Sequence, residues 1–260
     1  MQHTPVMLRE CLEYLGVRRD GVYLDCTCGL GGHTGAIARQ LTTGFVLSCD
    51  RDQESLALAK ENTLNCADHI RFRQAKFSQV EKVTAAEGLG TVDGLLADLG
   101  VSKYQLTSSE RGFSLMTDGP LDMRLDRGQE RSAFDIVNYE SEKQLADLIF
   151  QLGEERRSRR IARAIVRGRP IHTTGQLAKL IEQAVPRTGK IHPATQTFMA
   201  LRIAVNEENE ELDALLEALP RIVKPGGRAV FLTFMSLEDR RVKQGFQAMA
   251  RAGQVKILTR

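Results

Sequence analysis

The sequence contains no apolar run approaching the roughly 18 to 20 residues that a bilayer-spanning helix needs. Nor does the N-terminus, MQHTPVMLRECLEYLG, place a basic stretch before an apolar one, so it does not read as a secretory signal. Cysteine is scarce and badly distributed for a disulfide framework. There are five, an odd number, at positions 11, 26, 28, 49 and 66, all in the first quarter of the chain. That placement predicts a reducing compartment. A second pair to match Cys26 and Cys28 is missing, so a structural zinc site lacks its ligands. There is no internal repeat and no low-complexity segment. These absences leave a cytoplasmic chain without membrane or metal as the expectation. A net charge of +3 decides nothing by itself; the distribution of charge is more informative.

What is present is enough apolar material, 42% of 260 residues, to bury a sizeable core. The first hundred residues alternate short apolar runs with helical spacing. GVYLDCT, FVLSCD, IRFRQAKF and VDGLLADLG read as buried strands, and TGAIARQL and ESLALAKENTL as helices between them. This is the pattern of a parallel sheet covered on both faces. From 106 to 215 the chain is polar and mostly helical. After 216 the earlier style resumes, with ALLEALPRIVKPGG as a helix and turn, GRAVFL as a strand and QVKILTR as a further candidate strand. The expected architecture is therefore an α/β domain, residues 1–105 with 216–260, interrupted by a helical insertion at 106–215.

Residues 25 to 35, DCTCGLGGHTG, follow the first strand and open a helix. Glycines there let the backbone turn sharply and approach a ligand. Cys26 and Cys28 are expected to pack on one face of the strand end. The second strand ends in Asp50, placed to accept hydrogen bonds from ribose hydroxyls. The spacing misses G-x-G-x-x-G because the last glycine falls one residue late, at Gly35. Asp25 puts a negative charge before the loop, which disfavours a pyrophosphate and suits a cationic cofactor end. This favours S-adenosyl-L-methionine (AdoMet) over NAD and makes an NAD-dependent oxidoreductase the rival enzyme.

Longer motifs carry a resemblance. HTPVMLRE at 3–10, GGHT at 31–34, DLGVS at 98–102, ERGFS at 110–114, DGPLDMRLD at 118–126, GEER at 153–156, RRIARAIV at 159–166, HPATQTFMALRIAVN at 192–206 and SLEDR at 236–240 occur in this order. Together they resemble the RsmH (MraW) family, bacterial 16S ribosomal RNA (cytosine-N4)-methyltransferases. The resemblance implies a class I AdoMet-dependent methyltransferase fold with an inserted helical substrate domain. It implies methylation of a cytosine in the decoding centre, with 16S rRNA in the small ribosomal subunit as partner. Carried over by position, the cofactor contacts fall on Gly31, Gly32, His33, Asp50, Phe77, Asp98 and Gln105. In this reading His33 contributes backbone, Phe77 packs near the adenine, and Asp98, or the backbone of residues 99 to 101, accepts a hydrogen bond from the cytosine amino group. Met235 stands where the family usually has His, Lys103-Tyr104 where it has Ser-Pro, and the chain stops at Arg260 before the family's usual basic tail. Met235 and the early stop keep a second reading open, a fold-retaining RNA-binding or assembly protein with weak or lost activity.

Seven arginines lie between 156 and 169. On a helix, Arg156, Arg160, Arg163 and Arg167 share one face and Ile161 and Ile165 the opposite one. Glu154 and Glu155 are the acids nearest in sequence, so phosphate binding is expected of the arginine face. Tyr104, Phe113 and Phe234 are candidate stacking residues for an extruded base. Asp118, Asp122 and Asp126 are expected to cap and to pair with Arg124 and Arg127 rather than to bind a cation. His172 and His192 read as turn or surface residues.

Overall fold

A computed structural model describes residues 5–187 and 189–259. His3 and Thr4 of the first motif, and Arg260, lie outside the described residues. The chain divides into two compact units, Met1–Gly100 with Asn209–Arg260, and Val101–Glu208.

The first unit begins with α1 (Leu8–Leu15), β1 (Val22–Asp25), α2 (Gly32–Ala38), β2 (Phe45–Asp50), α3 (Gln53–Asn62), β3 (Ile70–Gln74), α4 (Val80–Ala86) and β4 (Val92–Asp98). The second unit is helical: α5 (Lys103–Thr107), α6 (Ala133–Tyr139), α7 (Glu142–Gly153), α8 (Ser158–Arg167), α9 (Thr174–Ala184) and α10 (Thr195–Asn206). The chain closes with α11 (Glu208–Ile222), β5 (Val223–Leu232) and α12 (Ser236–Arg251). No helix among the described residues is long and apolar enough to cross a membrane.

The five strands are all parallel, in the order β3-β2-β1-β4-β5. Period-two alternation sends adjacent side chains to opposite faces. Leu24, Leu47, Leu95 and Ala97 join Leu212, Leu215 and Leu219 of α11 in one core. Tyr23, Val46 and Leu96 join Cys11 and Leu15 of α1 and Ile37 of α2 in the other. Strand order reverses between β1 and β4, the place where ligands settle outside the carboxyl ends of such sheets. This is the α/β architecture of a class I AdoMet-dependent methyltransferase.

The unit boundaries fall earlier than the sequence suggests. Ser102 N-caps α5, its hydroxyl accepting from Gln105 N at 3.3 Å, so a new helix starts directly after the β4 exit. At the far boundary α11 already packs its leucines on the sheet. The KPGG segment lies inside β5: Val223 pairs with Val92 and Arg228 with Gly94, so residues 224 to 227 bulge out of the ladder, with Gly226 at φ 81°. QVKILTR forms no strand among its described residues. Its Ile257 and Leu258 are exposed and bury no apolar face that would hold a strand on the sheet. The second unit has its own core, in which Ile136, Leu145, Ile149, Ile161, Ile165, Leu177 and Leu201 are fully buried. Two of its helices, α7 and α9, start on S/T-x-x-Q capping boxes, Ser141 with Gln144 and Thr173 with Gln176.

Candidate functional site

In the first unit three acids end neighbouring strands: Asp50 on β2, Asp25 on β1 and Asp98 on β4. The loop from Cys26 to Gly31 threads between them. Cys26 N donates to Leu96 O and Cys28 N to Cys49 O, both at 2.9 Å, so the loop is held to both neighbouring strands before it turns. Gly31 N then closes on Cys28 O at 2.8 Å.

Asp25 is fully buried. Its Oδ2 accepts from Thr34 Oγ1 at 2.5 Å and its Oδ1 from Thr27 N at 3.0 Å. Burial pushes its carboxyl up from the ordinary range, against the hydrogen bond from Thr34. Asp25 therefore ties the loop to α2 from inside. Buried as it is, it is not placed to meet the cationic end of a cofactor, the role that the sequence argument gave its charge.

Asp50 Oδ2 accepts from Gly29 N at 2.7 Å and Oδ1 from Asp52 N at 2.9 Å. Burial raises its carboxyl to about 6, with the Asp52 and Gly29 N–H groups opposing. Ala75 N donates to Asp50 O at 2.9 Å, which brings the start of the segment after β3 to the same strand end. Phe77, two residues further, is half-buried against the core of that face.

Asp98 is held at two points. Its N–H donates to Thr27 Oγ1 at 2.7 Å, and its Oδ2 lies 3.5 Å from His33 Nδ1. The other ring nitrogen of His33 faces Val6 O at 3.1 Å, and the ring is buried. His33 is thus a side-chain bridge between the N-terminal segment and Asp98, where the sequence reading gives it a backbone role only. Local spacing hides this, because 65 residues separate the two partners.

Gly31 N-caps α2 at φ 84°, and Gly29 has φ 51°. A Cβ at Gly31 would sit 3.0 Å from Thr63 Cγ2 and 3.2 Å from Ala59 Cβ, whereas at Gly29 it meets only Thr27 O, at 4.0 Å. Gly31 packs the loop on α3; Gly29 leaves open space over it. Gly31→Ala is expected to destabilise the fold by ~1–3 kcal/mol through strain in the left-handed region and that close approach. Gly29→Ala should cost only the backbone strain. Paired thermal melts check this, and equal melting temperatures for the two variants would refute it.

Cys26 and Cys28 do not share a face. Cys26 lies in the core with Leu24 and Leu47, and Cys28 in a separate cluster with Leu56 and Ala59. Burial pushes both thiols well above the ordinary range. Among the described residues no three His, Cys, Asp or Glu side chains are grouped to hold a metal ion. Asp122 pairs with Arg124 at 2.7 Å, and Asp118 and Asp126 accept from Gly175 N and Gly128 N at 2.8 and 2.9 Å.

The glycine loop, Asp50, Phe77 and Asp98 fit a nucleoside cofactor with a positive amino-acid end. The loop is open at Gly29, one half-buried carboxylate ends β2 and another ends β4. Gln105 belongs to the second unit, where its Oε1 accepts from Ser102 N at 2.8 Å. The candidate arginines belong there too. Arg160, Arg163 and Arg167 are exposed on α8 and Ile161 and Ile165 are buried beneath it. Arg156 is not on that helix but in the turn before it. Glu155 explains why: it is buried and accepts from Arg157 N at 2.7 Å, fixing a turn where the spacing predicts helix. Arg163 Nε lies 3.3 Å from Glu142 Oε1 on α7, an acid too far in sequence for the local pattern to show. Phe113 is buried in the second core and Phe234 is 58% exposed in the first unit. At the loop after β5, Glu238 Oε2 accepts from Phe234 N at 3.1 Å and Met235 N at 3.3 Å. These backbone bonds do not depend on which residue occupies position 235.

A doubly wound parallel sheet with a glycine loop and acids at its switch point is the arrangement of an enzyme that holds a nucleoside cofactor. The sequence profile of the MraW methylase family matches residues 1–257, and the chain belongs to that family. Its cofactor is S-adenosyl-L-methionine. The chain is 56% identical over 258 residues to a ribosomal RNA small subunit methyltransferase H of Solibacter usitatus, covering 99% of this chain and 90% of that protein. It is 46% identical over 273 residues to the protein of the same name from Acidobacterium capsulatum, covering 100% and 90%. A third, from Thermosipho africanus, is 44% identical over 246 residues, covering 93% and 84%.

Proposed function

We propose that this methyltransferase modifies the exocyclic N4 of a cytosine in the decoding centre of 16S rRNA in the small ribosomal subunit. The names of the relatives support the rRNA substrate, and the observation that carries the chemistry is Asp98. It ends β4 at the switch point, with its backbone held by Thr27 and its carboxylate beside His33. The cofactor, when bound, supplies a methyl group already activated on a sulfonium. The protein's task is then positioning. The cytosine amino lone pair is delocalised into the ring, so an acceptor for one amino hydrogen favours a pyramidal nitrogen whose lone pair points at the methyl. The Asp98 carboxylate is that acceptor. The methylated nitrogen is acidic and sheds its proton readily, so a strong general base is not required. Gly31, Gly32 and the His33 backbone hold the amino-acid end of the cofactor, Asp50 its ribose hydroxyls, and Phe77 its adenine.

The test is transfer of labelled methyl from AdoMet to unmodified small subunits, followed by nucleoside analysis. Labelled N4-methylcytidine is expected. Label in another nucleoside, or none, would defeat the reading.

Arg160 and Arg167 are exposed and have no ion pair among the described residues, so their charge is available to phosphate. Arg156, in the turn, and Arg163, shared with Glu142, flank them. Arg160→Ala with Arg167→Ala is expected to weaken RNA binding and to flatten the log–log salt dependence by roughly 0.7 for each phosphate no longer neutralised. A titration series in salt measures this, and an unchanged slope would remove α8 from the RNA interface.

A further inference from the structure

The surface of the second unit carries a cluster of rings that the arginine pattern does not predict. Phe134 of α6 lies between two others. Its centroid is 6.0 Å from the Tyr139 ring at an interplanar angle of 78°, and 5.6 Å from the His172 ring at 32°. Tyr139 is 74% exposed, His172 is exposed and Phe134 is half-buried. Single exposed aromatics need no explanation, but grouped rings on a surface do.

The backbone fixes this group. Asn138 zips α6 to the segment before α9, its Nδ2 donating to Ile171 O and its Oδ1 accepting from Ile171 N, both at 2.8 Å. His172 N donates to Gln176 Oε1 at 2.8 Å, and His172 O accepts from Leu121 N at 3.2 Å. The imidazole is therefore presented from an anchored segment next to Phe134.

The rings lie near the C-terminal end of α8. Arg169, two residues past the end of that helix, donates from Nε to Val137 O at 2.8 Å and from a terminal nitrogen to Glu140 O. These bonds place the C-terminal end of α8, and with it Arg167, at the end of α6 that carries Tyr139. Of the acids here, Glu140 pairs with Arg131 and Glu142 with Arg163. Arg159, Arg160 and Arg167 have no ion pair among the described residues.

We propose that this face binds a single-stranded stretch of RNA, with phosphates along α8 and bases stacked on Tyr139 and His172. The inference rests on RNA being the substrate and names the part of it that this unit holds. A track of positive charge beside exposed rings is the arrangement that takes single strands, because every unpaired base has a face to stack. A duplex hides those faces and would use only the arginines.

The test uses the full chain and fluorescence anisotropy with a labelled single-stranded RNA and a duplex of the same length. Tyr139→Ala is expected to weaken single-strand binding roughly tenfold, as loss of one stacked base does, with the salt slope unchanged. Tyr139→Phe keeps the ring and should bind as the parent does. Duplex binding should respond to neither. Equal binding by the parent and Tyr139→Ala would overturn the platform, as would equal loss in both variants. If Tyr139→Ala binds single strands weakly but the parent transfers no methyl to small subunits, this face stands and the proposed reaction falls. If all variants bind alike and the parent still methylates, the reaction stands and this face falls.

Discussion

Asp98→Asn is expected to slow methyl transfer in a single turnover by roughly 100-fold, the lower end of what losing one preorganised hydrogen-bonding group at a reacting centre costs. The substitution keeps the size of the side chain and the backbone bond from Asp98 N to Thr27 Oγ1, so the end of β4 should not move. What changes is the acceptor. Asn offers one acceptor oxygen without charge and an amide that must find its own acceptor. His33 Nδ1, 3.5 Å from Oδ2, lies next to whichever end of the amide turns toward it. The amino group of the target then loses its anionic partner. Two measurements are needed on the same variant: AdoMet affinity by calorimetry and the rate with cofactor saturating. A rate loss at full occupancy assigns Asp98 to the transferring step. Loss of affinity alone, with the bound-state rate intact, would confine Asp98 to holding the cofactor.

The strands and the glycine loop are legible in the sequence because they are local patterns. FVLSCD and VDGLLADL are apolar runs of strand length and form β2 and β4. The glycines after β1 mark a turn whatever surrounds them. Other features are set by partners distant in the chain. α4 escapes the pattern because VEKVTAA is short and has only two buried positions, Val80 and Thr84. Arg156 fits the helical spacing and still falls outside α8, since buried Glu155 captures the Arg157 backbone. Asp25 reads as a charge facing a ligand until Thr34 and Thr27 are seen to occupy it. The His33 side chain, Glu142 opposite Arg163 and the Phe134–Tyr139–His172 group have no signature at fixed spacing. Each includes a contact between residues 21 to 65 positions apart. Chemistry carried by one loop is readable in one dimension, and chemistry made by two elements is not.

Asp50→Ala is expected to weaken AdoMet binding about a hundredfold or more. The carboxylate already accepts from Gly29 N and Asp52 N, so its removal orphans two loop N–H groups as well as the ribose hydroxyls assigned to it. Two hydrogen bonds to a charged group are together worth about 3 kcal/mol, and ~1.4 kcal/mol is a factor of ten in affinity. The same residue gives a pH signature whose two parts run in opposite directions. Burial raises its folded-state pKa from 3.8 to about 6. Ribose hydroxyls donate to the ionised form, so affinity should be full above pH 6 and fall toward tenfold per unit below it. Stability of the free protein goes the other way. A carboxyl with a raised folded pKa binds its proton more tightly folded than unfolded, so charging it costs stability. That cost, about 3 kcal/mol at 1.36 kcal/mol per unit, is present above pH 6 and disappears as pH falls toward 4. Asp50→Asn cannot titrate and should flatten both curves. Calorimetric titrations with AdoMet and thermal melts of the free protein between pH 5 and 7.5 measure them separately. An Asn variant with the parent's two profiles would mean that another group, such as the buried Asp25 at the neighbouring strand end, sets the pH response.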